Sequence, residues 1–506
     1  MNCKVIRIGV FFDGTGNNLT NDQAANKASN IAKLYQLYSP LYQAGSAPDA
    51  GPFLIGQSAS ECKIITTAVY IEGLGTQANQ PDNLTGLGIG SGGAKRIQLA
   101  VSKIDDIRKQ FPKEEYKCYI DVFGFSRGAS LARHFINEMH RNEKYKESSF
   151  LFKFIGLFDT VASFGKAGDN KNYKPITDKG SEGWTFWHET LGITPSAKKY
   201  EPYNFNLAPH SAEQIVHLVA LDEYRENFPL TDTEGAGRTY YLIGAHSDVG
   251  GGYESMTVER LFEYALQKPR QATLTPLPPP TNGIAIGENW HADWVNYQEV
   301  EPTYEGNKNI LKYTGQRTVS NDLQQIGLIM MYNLAVKSGV PLLPFSLTMD
   351  AALQAKLIRQ IAYTPYQPTT QALNRHSPAL APLLGNGSSW SETLKAYCIT
   401  AIEDPAGLNQ ALGHHTTFAY PDNPAQDSVF HHRQPDHLRI LAQYAHNSAC
   451  TPEAHGLNPP PIGFKHRQTA YLGESISNSA YYLNPQNPPV RVVWRNQAAL
   501  AVVNEE

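Results

Sequence analysis

The chain has 506 residues, 41% hydrophobic and 18% charged, with a net charge of −4. That balance suits a folded globular protein of two or three domains, and it excludes both a disordered chain and a broad basic surface for nucleic acid. No apolar run of about 18 residues occurs, so no membrane-spanning helix is expected.

Val5–Phe12, VIRIGVFF, is almost continuously apolar, the pattern of a parallel strand buried on both faces. It follows so closely on the first residues that MNCKVIRIGVFFDGTG reads as strand and turn, with no signal peptide expected. The strand runs into Asp13-Gly14-Thr15-Gly16-Asn17-Asn18. Small and polar residues at the carboxyl end of a buried strand are where open α/β sheets bind ligands. The backbone amides of Gly14 and Thr15 are candidates for an oxyanion hole. Asp13 would orient the loop or hold a cation, unless it only closes an Asx-type turn.

Ala25–Tyr38 has helical spacing (Ile31, Leu34, Leu37) and stops before Pro40. Ile64–Ile71 is the next strand. Gly86–Gly93 contains G-x-G-x-x-G, but a polar stretch precedes it where a dinucleotide site needs a strand, so it reads as a loop near the site's mouth. Ala94–Phe111 is a helix.

Cys118–Phe123 then reads as a strand, Gly124-Phe125-Ser126-Arg127-Gly128 as a sharp turn, and Ala129 to about His140 as a helix. The turn is a G-x-S-x-G between an apolar strand and an apolar-periodic helix (Ala132, Phe135, Ile136, Met139). Such an elbow lifts the Ser126 hydroxyl above the sheet and directs the Arg127 N–H into the same space. Phe152–Phe158 is the following strand and ends at Asp159. Residues 164–214 are glycine-rich and polar at first, as in a cap insertion, and Ile215–Asp222 reads as the start of a helical segment. Thr239–Ala245 is a buried strand ending at His246-Ser247-Asp248-Val249.

Ser126, Asp159 and His246 thus each follow a buried strand, and in a parallel sheet such strand ends share one edge. Their order, Ser, Asp, His, is that of the α/β-hydrolases. His246 would take the Ser126 proton and Asp159 would hold the imidazole tautomer. Asp248 competes as the acid, but two residues after His246 it would more naturally structure the glycine turn. His431, His432, His437 and His446 are irregularly spaced among few carboxylates, which argues against a metal site, and no cofactor is expected.

After Tyr253 the texture changes. TPLPPPTN at Thr275–Asn282 reads as a proline-rich linker, and Asn321–Ala335, Met349–Ile361 and His437–Tyr444 have helical periodicity. Val490–Trp494 reads as a strand packed back on the core. Residues 1–260 are therefore expected to form an α/β-hydrolase core with a mainly parallel sheet, and residues 261–506 a mostly helical module over its edge. The five cysteines, Cys3, Cys62, Cys118, Cys398 and Cys450, are scattered and without C-x-x-C pairs, as expected of reduced structural thiols in a protein made in the cytosol.

FFDGTGNN at Phe11–Asn18, GFSRGA at Gly124–Ala129, GLFDTV at Gly156–Val161, ALDEYRENFPL at Ala220–Leu230 and GAHSDVGGGY at Gly244–Tyr253 occur in this order. Together they resemble the α/β-hydrolase domain of class 1 type VI secretion lipase effectors, the Tle phospholipases, over roughly residues 5–260. The resemblance implies a phospholipase A1 or A2 delivered into rival bacteria to act on their membrane glycerophospholipids. It implies a Ser-Asp-His triad at Ser126, Asp159 and His246, a spike protein as carrier, and a cognate immunity protein in the producer. Two readings stand beside it: a carboxylesterase of small soluble esters, and a non-catalytic interaction module of the same fold.

Overall fold

The computed structural model describes residues 4–24, 26–38, 54–58, 63–76, 92–111, 113–146, 149–164, 203–223, 228–267, 295–305, 308–343, 366–368, 390–412, 418–419, 435–446 and 491–496. Its centre is an eight-stranded sheet. In chain order its strands are β1 (Lys4–Phe12), β2 (Leu54–Ser58), β3 (Lys63–Ile71), β4 (Lys117–Phe125), β5 (Phe150–Phe158), β6 (Gln214–Ala220), β8 (Arg238–Leu242) and β12 (Tyr366–Pro368). They lie in the order β12-β2-β3-β1-β4-β5-β6-β8. The six from β3 to β8 are parallel, and β2 and β12 add an antiparallel edge. From β1 the chain crosses to β3 on one side and later returns to β4 on the other. The carboxyl ends of β1 and β4 therefore flank the topological switch point, where such sheets bind their ligands.

Strand alternation explains how the sheet is covered. Ile6, Ile8, Val10 and Phe12 of β1, with Ile120 and Val122 of β4, pack in one core with Ile97 and Ile104 of α3 (Gly93–Gln110) and Phe135 and Ile136 of α4 (Arg127–Arg141). Phe11, Phe123 and Phe125 point to the other face. There they pack in one cluster with α2 (Asn30–Tyr38), α6 (Asp322–Lys337), α7 (Glu392–Glu403), α8 (Pro405–Ala411) and α9 (Pro435–Tyr444). The apolar faces of the later helices are thus continuous with the core of the sheet.

Arg7 breaks the apolar run of β1 without exposing it. Its guanidinium donates to both oxygens of Asp121 on β4, at 2.7 and 2.9 Å, and the Tyr38 hydroxyl adds a third bond at 2.9 Å. Burial opposes the charge on Arg7, but the adjacent Asp121 carboxylate prevails and holds it protonated.

Three expectations change. The stretch Ile215–Asp222 is not helical: β6 runs through it, paired with β5 and β8. Buried on both faces, QIVHLVA shows no strand alternation, and a short apolar run cannot be told from a helix by period alone. The helix expected from Ala25 begins at Asn30 and is preceded by the separate α1 (Leu19–Ala24). Asn26 sits at φ 54, which interrupts the helix, and Ser29 Oγ accepts the Ala32 N–H at 3.0 Å to start the next. The later half also contains an antiparallel sheet, β9 (Met256–Gln267), β10 (Val295–Glu305) and β11 (Lys308–Ser320), ordered β10-β11-β9, where only helices and linkers are expected. Its first strand runs across position 260.

The short strand expected at Val490–Trp494 is β14 (Arg491–Trp494). It lies parallel to β7 (Leu230–Thr231) and to β13 (Phe418–Ala419). The proline-rich stretch at 275–282, the helix expected over 349–361, most of the glycine-rich loop at 86–93 and most of the cap insertion at 164–214 fall outside the described residues. Cys118 and Cys398 are buried free thiols. Among the described residues no helix is long and apolar enough to cross a membrane.

Candidate active site

Register brings three strand ends to one edge, Ser126 level with Asp159 and Asp13 one residue back, opposite Phe125. Phe12 pairs with Gly124, and Phe125 pairs with Phe158, so Asp13, Ser126 and Asp159 are each the first residue past the paired ends. Ser126 has φ 59 and ψ −129, a backbone conformation that L residues rarely adopt and that costs about 1–3 kcal/mol. Surrounding bonds hold it there. Its N–H donates to Phe158 O at 3.1 Å, and its carbonyl accepts the Ala129 and Ser130 amides that open α4. The flanking glycines are required by close approach. A Cβ on Gly124 would lie 2.6 Å from Ala129 Cα, and one on Gly128 2.2 Å from the Asp13 carbonyl oxygen.

His246 opens α5 (His246–Gly250), a short helix where a glycine turn is expected. Its imidazole packs against the ring of Phe125, the residue before Ser126, at 4.6 Å, and against Phe228 at 4.9 Å. Its Nδ1 lies 2.5 Å from Asp159 Oδ2. Asp159 is itself held at φ 41, and its N–H donates to Leu218 O at 2.7 Å. The Ala220 amide donates to Oδ1 at 3.0 Å. Arg491 donates to both oxygens, at 2.7 and 2.8 Å. Burial alone would push the Asp159 carboxyl up. The charge of Arg491 and the bond to His246 overcome this and hold it well below the usual carboxylate range. An ionised Asp159 accepting Nδ1–H leaves the other ring nitrogen of His246 as the basic atom.

The loop after β1 is built around Asp13. Oδ1 accepts the Gly14 N–H at 2.7 Å and the Ser29 hydroxyl at 2.6 Å; Oδ2 accepts the Tyr70 hydroxyl at 2.5 Å. Both oxygens are thus engaged by donors, the geometry of a loop brace rather than of a cation ligand. Burial pushes the Asp13 carboxyl up to about 7. The same bonds change the expectation for the oxyanion loop. The Gly14 N–H already donates to Asp13, which makes Thr15 the candidate amide of the pair. Thr15 is fastened in turn: its Oγ1 accepts Arg127 Nε at 2.7 Å. The Arg127 amide is at the first helical position, next to Ser126.

Asp248 does not approach the Asp159 side of His246. Its Oδ2 accepts the Ala245 and His446 amides, and its Oδ1 lies 2.6 Å from His446 Nδ1. Tyr253 stacks on the His446 ring at 3.6 Å. Among the described residues no group of three or more His, Cys, Asp or Glu side chains converges as metal ligands do.

Sequence reasoning passes over several residues of this site. Asp222 and Glu223 lie in the quoted ALDEYRENFPL stretch without a role. In the structure Asp222 Oδ2 accepts the Gly244 N–H at 2.8 Å and Glu223 Oε2 accepts the His246 N–H at 3.2 Å, so that motif buttresses the histidine turn. Arg491 carries no local signal beyond being a charge inside a short apolar strand. His217 of β6 is buried with its Nε2 accepting the Thr160 amide at 3.1 Å, and burial drives its pKa down to about 3, so it is a neutral brace beneath Asp159.

The arrangement can do nucleophilic acyl chemistry: a strained serine at a helix start and an oriented imidazole backed by an ionised carboxylate. Against known structures, the chain is similar to a Tle1 effector bound to the VgrG spike of the type 6 secretion system, at 18% identity and a TM-score of 0.51. The match covers 98% of this chain and 94% of that one. It is also matched to an uncharacterized protein from Pseudomonas aeruginosa, at 18% identity and a TM-score of 0.36, covering 99% of this chain and 61% of that one. No curated protein matches. The family model for the catalytic domain of Tle1-like phospholipase effectors of type VI secretion matches residues 7–142 and 136–268, together just over half of the chain. The α/β core that carries Ser126, Asp159 and His246 is the part so matched, and the protein belongs to the Tle1-like phospholipase effector family of type VI secretion.

Proposed function

We propose that this effector is a serine phospholipase A that cleaves acyl esters of membrane glycerophospholipids with Ser126, His246 and Asp159. The observation that carries the reading is the 2.5 Å contact between His246 Nδ1 and Asp159 Oδ2 beside a serine held at φ 59, within a chain of a phospholipase effector family. Ser126 Oγ attacks the ester carbonyl and His246 takes its proton. The C–O bond to the lysolipid breaks as His246 returns that proton to the leaving oxygen. Water, activated by the same imidazole, then releases the fatty acid from Ser126. The amides of Arg127 and Thr15 are the donors that would face the developing oxyanion. Asp13 sets the Thr15 loop, and Asp248 the turn that carries His246.

Because the Tle1 effector of the solved complex binds a VgrG spike, a spike protein is the carrier proposed for this chain too. The producing cell would be protected by an immunity protein, and the enzyme would act on the membranes of the target bacterium from its periplasm.

Ser126→Ala is expected to abolish fatty-acid release from phospholipid vesicles and leave the circular dichroism spectrum unchanged; retained release would sink the assignment. Mass spectrometry of products from a phospholipid with different acyl chains at its two positions would show which ester is cut. Turnover of short-chain esters with no rise above the critical micelle concentration would instead favour a small-ester carboxylesterase. Failure of a fluorophosphonate probe to label Ser126 would favour the non-catalytic module.

A further inference from the structure

Arg491 is buried, and among the described residues its guanidinium bonds to the candidate acid and to its frame. Nη1 donates to Asp159 Oδ1 at 2.7 Å and to Ala220 O at 3.2 Å, Nη2 to Asp159 Oδ2 at 2.8 Å, and Nε to Phe228 O at 2.9 Å. Ala220 also donates its amide to Asp159, and Phe228 packs on His246. With His246 Nδ1 and the Ala220 amide, Arg491 supplies two of four donors, which fills the acceptor sites of the carboxylate. The carboxylate is thereby fixed in plane and in rotation, so Oδ2 has one position from which to meet His246.

The strand that brings Arg491 here is seated independently of this pair. Val493 and Trp494 of β14 lie in register with Leu230 and Thr231 of β7, and Asp232 N donates to Trp494 O at 3.0 Å. Asn496 then donates its amide to Asp232 Oδ1 at 2.7 Å, and its side chain bonds both backbone groups of Leu207. A segment outside the matched catalytic region is thus fastened on three sides with one arginine inserted into the site.

We infer that Arg491 is a positioning residue of the catalytic dyad, and that the strand Arg491–Trp494 is an obligatory part of the active site. The inference rests on the reading of Asp159 and His246 as acid and base. It goes beyond that reading because a Ser-His-Asp triad needs no arginine. Two consequences separate it from packing alone. Without Arg491 the carboxylate keeps one donor on each oxygen, Ala220 N–H and His246 Nδ1, so its plane is held less firmly, which lowers kcat and leaves KM alone. A positive charge against the carboxylate also weakens the hold of the Asp159–His246 pair on a proton, whichever atom carries it. Removing that charge therefore moves the acid limb of the rate profile upward. Among the described residues, the other charged or titratable groups near the dyad are Glu223 and Asp222 past β6, His217 within it, Asp248 in α5, and Arg127 and Arg133 in α4; none of them is altered by a substitution at Arg491.

The test compares wild type, Arg491→Lys and Arg491→Gln as full chains. It reads kcat and KM on phospholipid vesicles, the pH dependence of Ser126 labelling by a fluorophosphonate, and near-ultraviolet circular dichroism. Lysine keeps the charge but cannot make both in-plane bonds. It is expected to lower kcat about tenfold at unchanged KM with the acid limb near its wild-type position. Glutamine is expected to lower kcat further and to raise the acid limb by about one pH unit. A folded glutamine variant with wild-type kcat and acid limb overturns the proposal. If glutamine prevents folding, a folded lysine variant decides alone: wild-type kcat overturns the proposal and a tenfold loss at constant KM supports it. Wild-type protein that the probe does not label at Ser126 removes the triad reading and this proposal with it.

Discussion

Asp13 and Asp159 lie on the same sheet edge, both buried, and their surroundings push them in opposite directions. Asp159 faces a guanidinium and stays ionised; Asp13 faces only neutral donors, and burial takes it to about 7. For a carboxyl raised in the folded state, the stability linked to protonation is fully present below the unfolded value near 4 and is lost as pH rises through about 7. Asp13→Asn removes that titration while keeping a side-chain acceptor for Gly14. Urea midpoints at pH 5 and pH 8 should show the variant gaining on wild type as pH rises, and parallel curves would count against this account of Asp13. Ser126 carries a different burden at this scale, the backbone strain of φ 59. That conformation is legible from the two glycines beside it, because only they let strand and helix meet so closely.

At the scale of elements, the site depends on how tightly α4 closes on the end of β1. Gly128 in the first turn of α4 lies so near the carbonyls of Phe12 and Asp13 that a methyl group would sit 2.2 Å from backbone oxygen. Gly128→Ala must therefore move the helix or the strand, not a flexible side chain. A loss of about 1–3 kcal/mol is expected, together with a lower kcat because Ser126 shifts with the helix start. Thermal unfolding and vesicle kinetics on one preparation check both, and an alanine variant with wild-type values in both would show that the contact relaxes freely. The elements themselves were largely legible. β1, β3, β4, β5 and β8 read as strands and α3, α4 and α6 as helices because each keeps one period or one apolar run. β6 does not read as a strand for a physical reason: a strand buried on both faces loses the alternation that identifies strands.

For the molecule as a whole, the buried pair Arg7–Asp121 ties two central strands to α2 through Tyr38. Removing one partner leaves an uncompensated charge in the core. Arg7→Met is expected to destabilise by about 3–5 kcal/mol, while changing Asp121 to an apolar residue as well should recover much of the loss. A double-mutant cycle on denaturant midpoints measures this, and simple additivity would show that the two groups do not act as a pair. One hydrophobic cluster joins the sheet to α6, α7 and α9, so the later helices complete the covering of the sheet's second face.

The sequence by itself determined most of the local structures and which candidate site residues stand at their ends. Apolar runs end in polar residues at Asp13, Asp159 and His246, and an elbow of two glycines sets Ser126 at the turn from strand to helix. These are short-range facts, dictated by sterics and by burial of each strand. Only the tertiary structure decided who stands beside whom. Parallel register put the strand ends at Asp13, Ser126 and Asp159 on one edge. Asp13 took the Gly14 amide, leaving Thr15 as the loop donor. His446 met Asp248, and Arg491 reached Asp159 across most of the chain. Pairings of this kind leave no periodic trace in sequence, because a single buried charge is placed by the partner it neutralises and not by its neighbours along the chain.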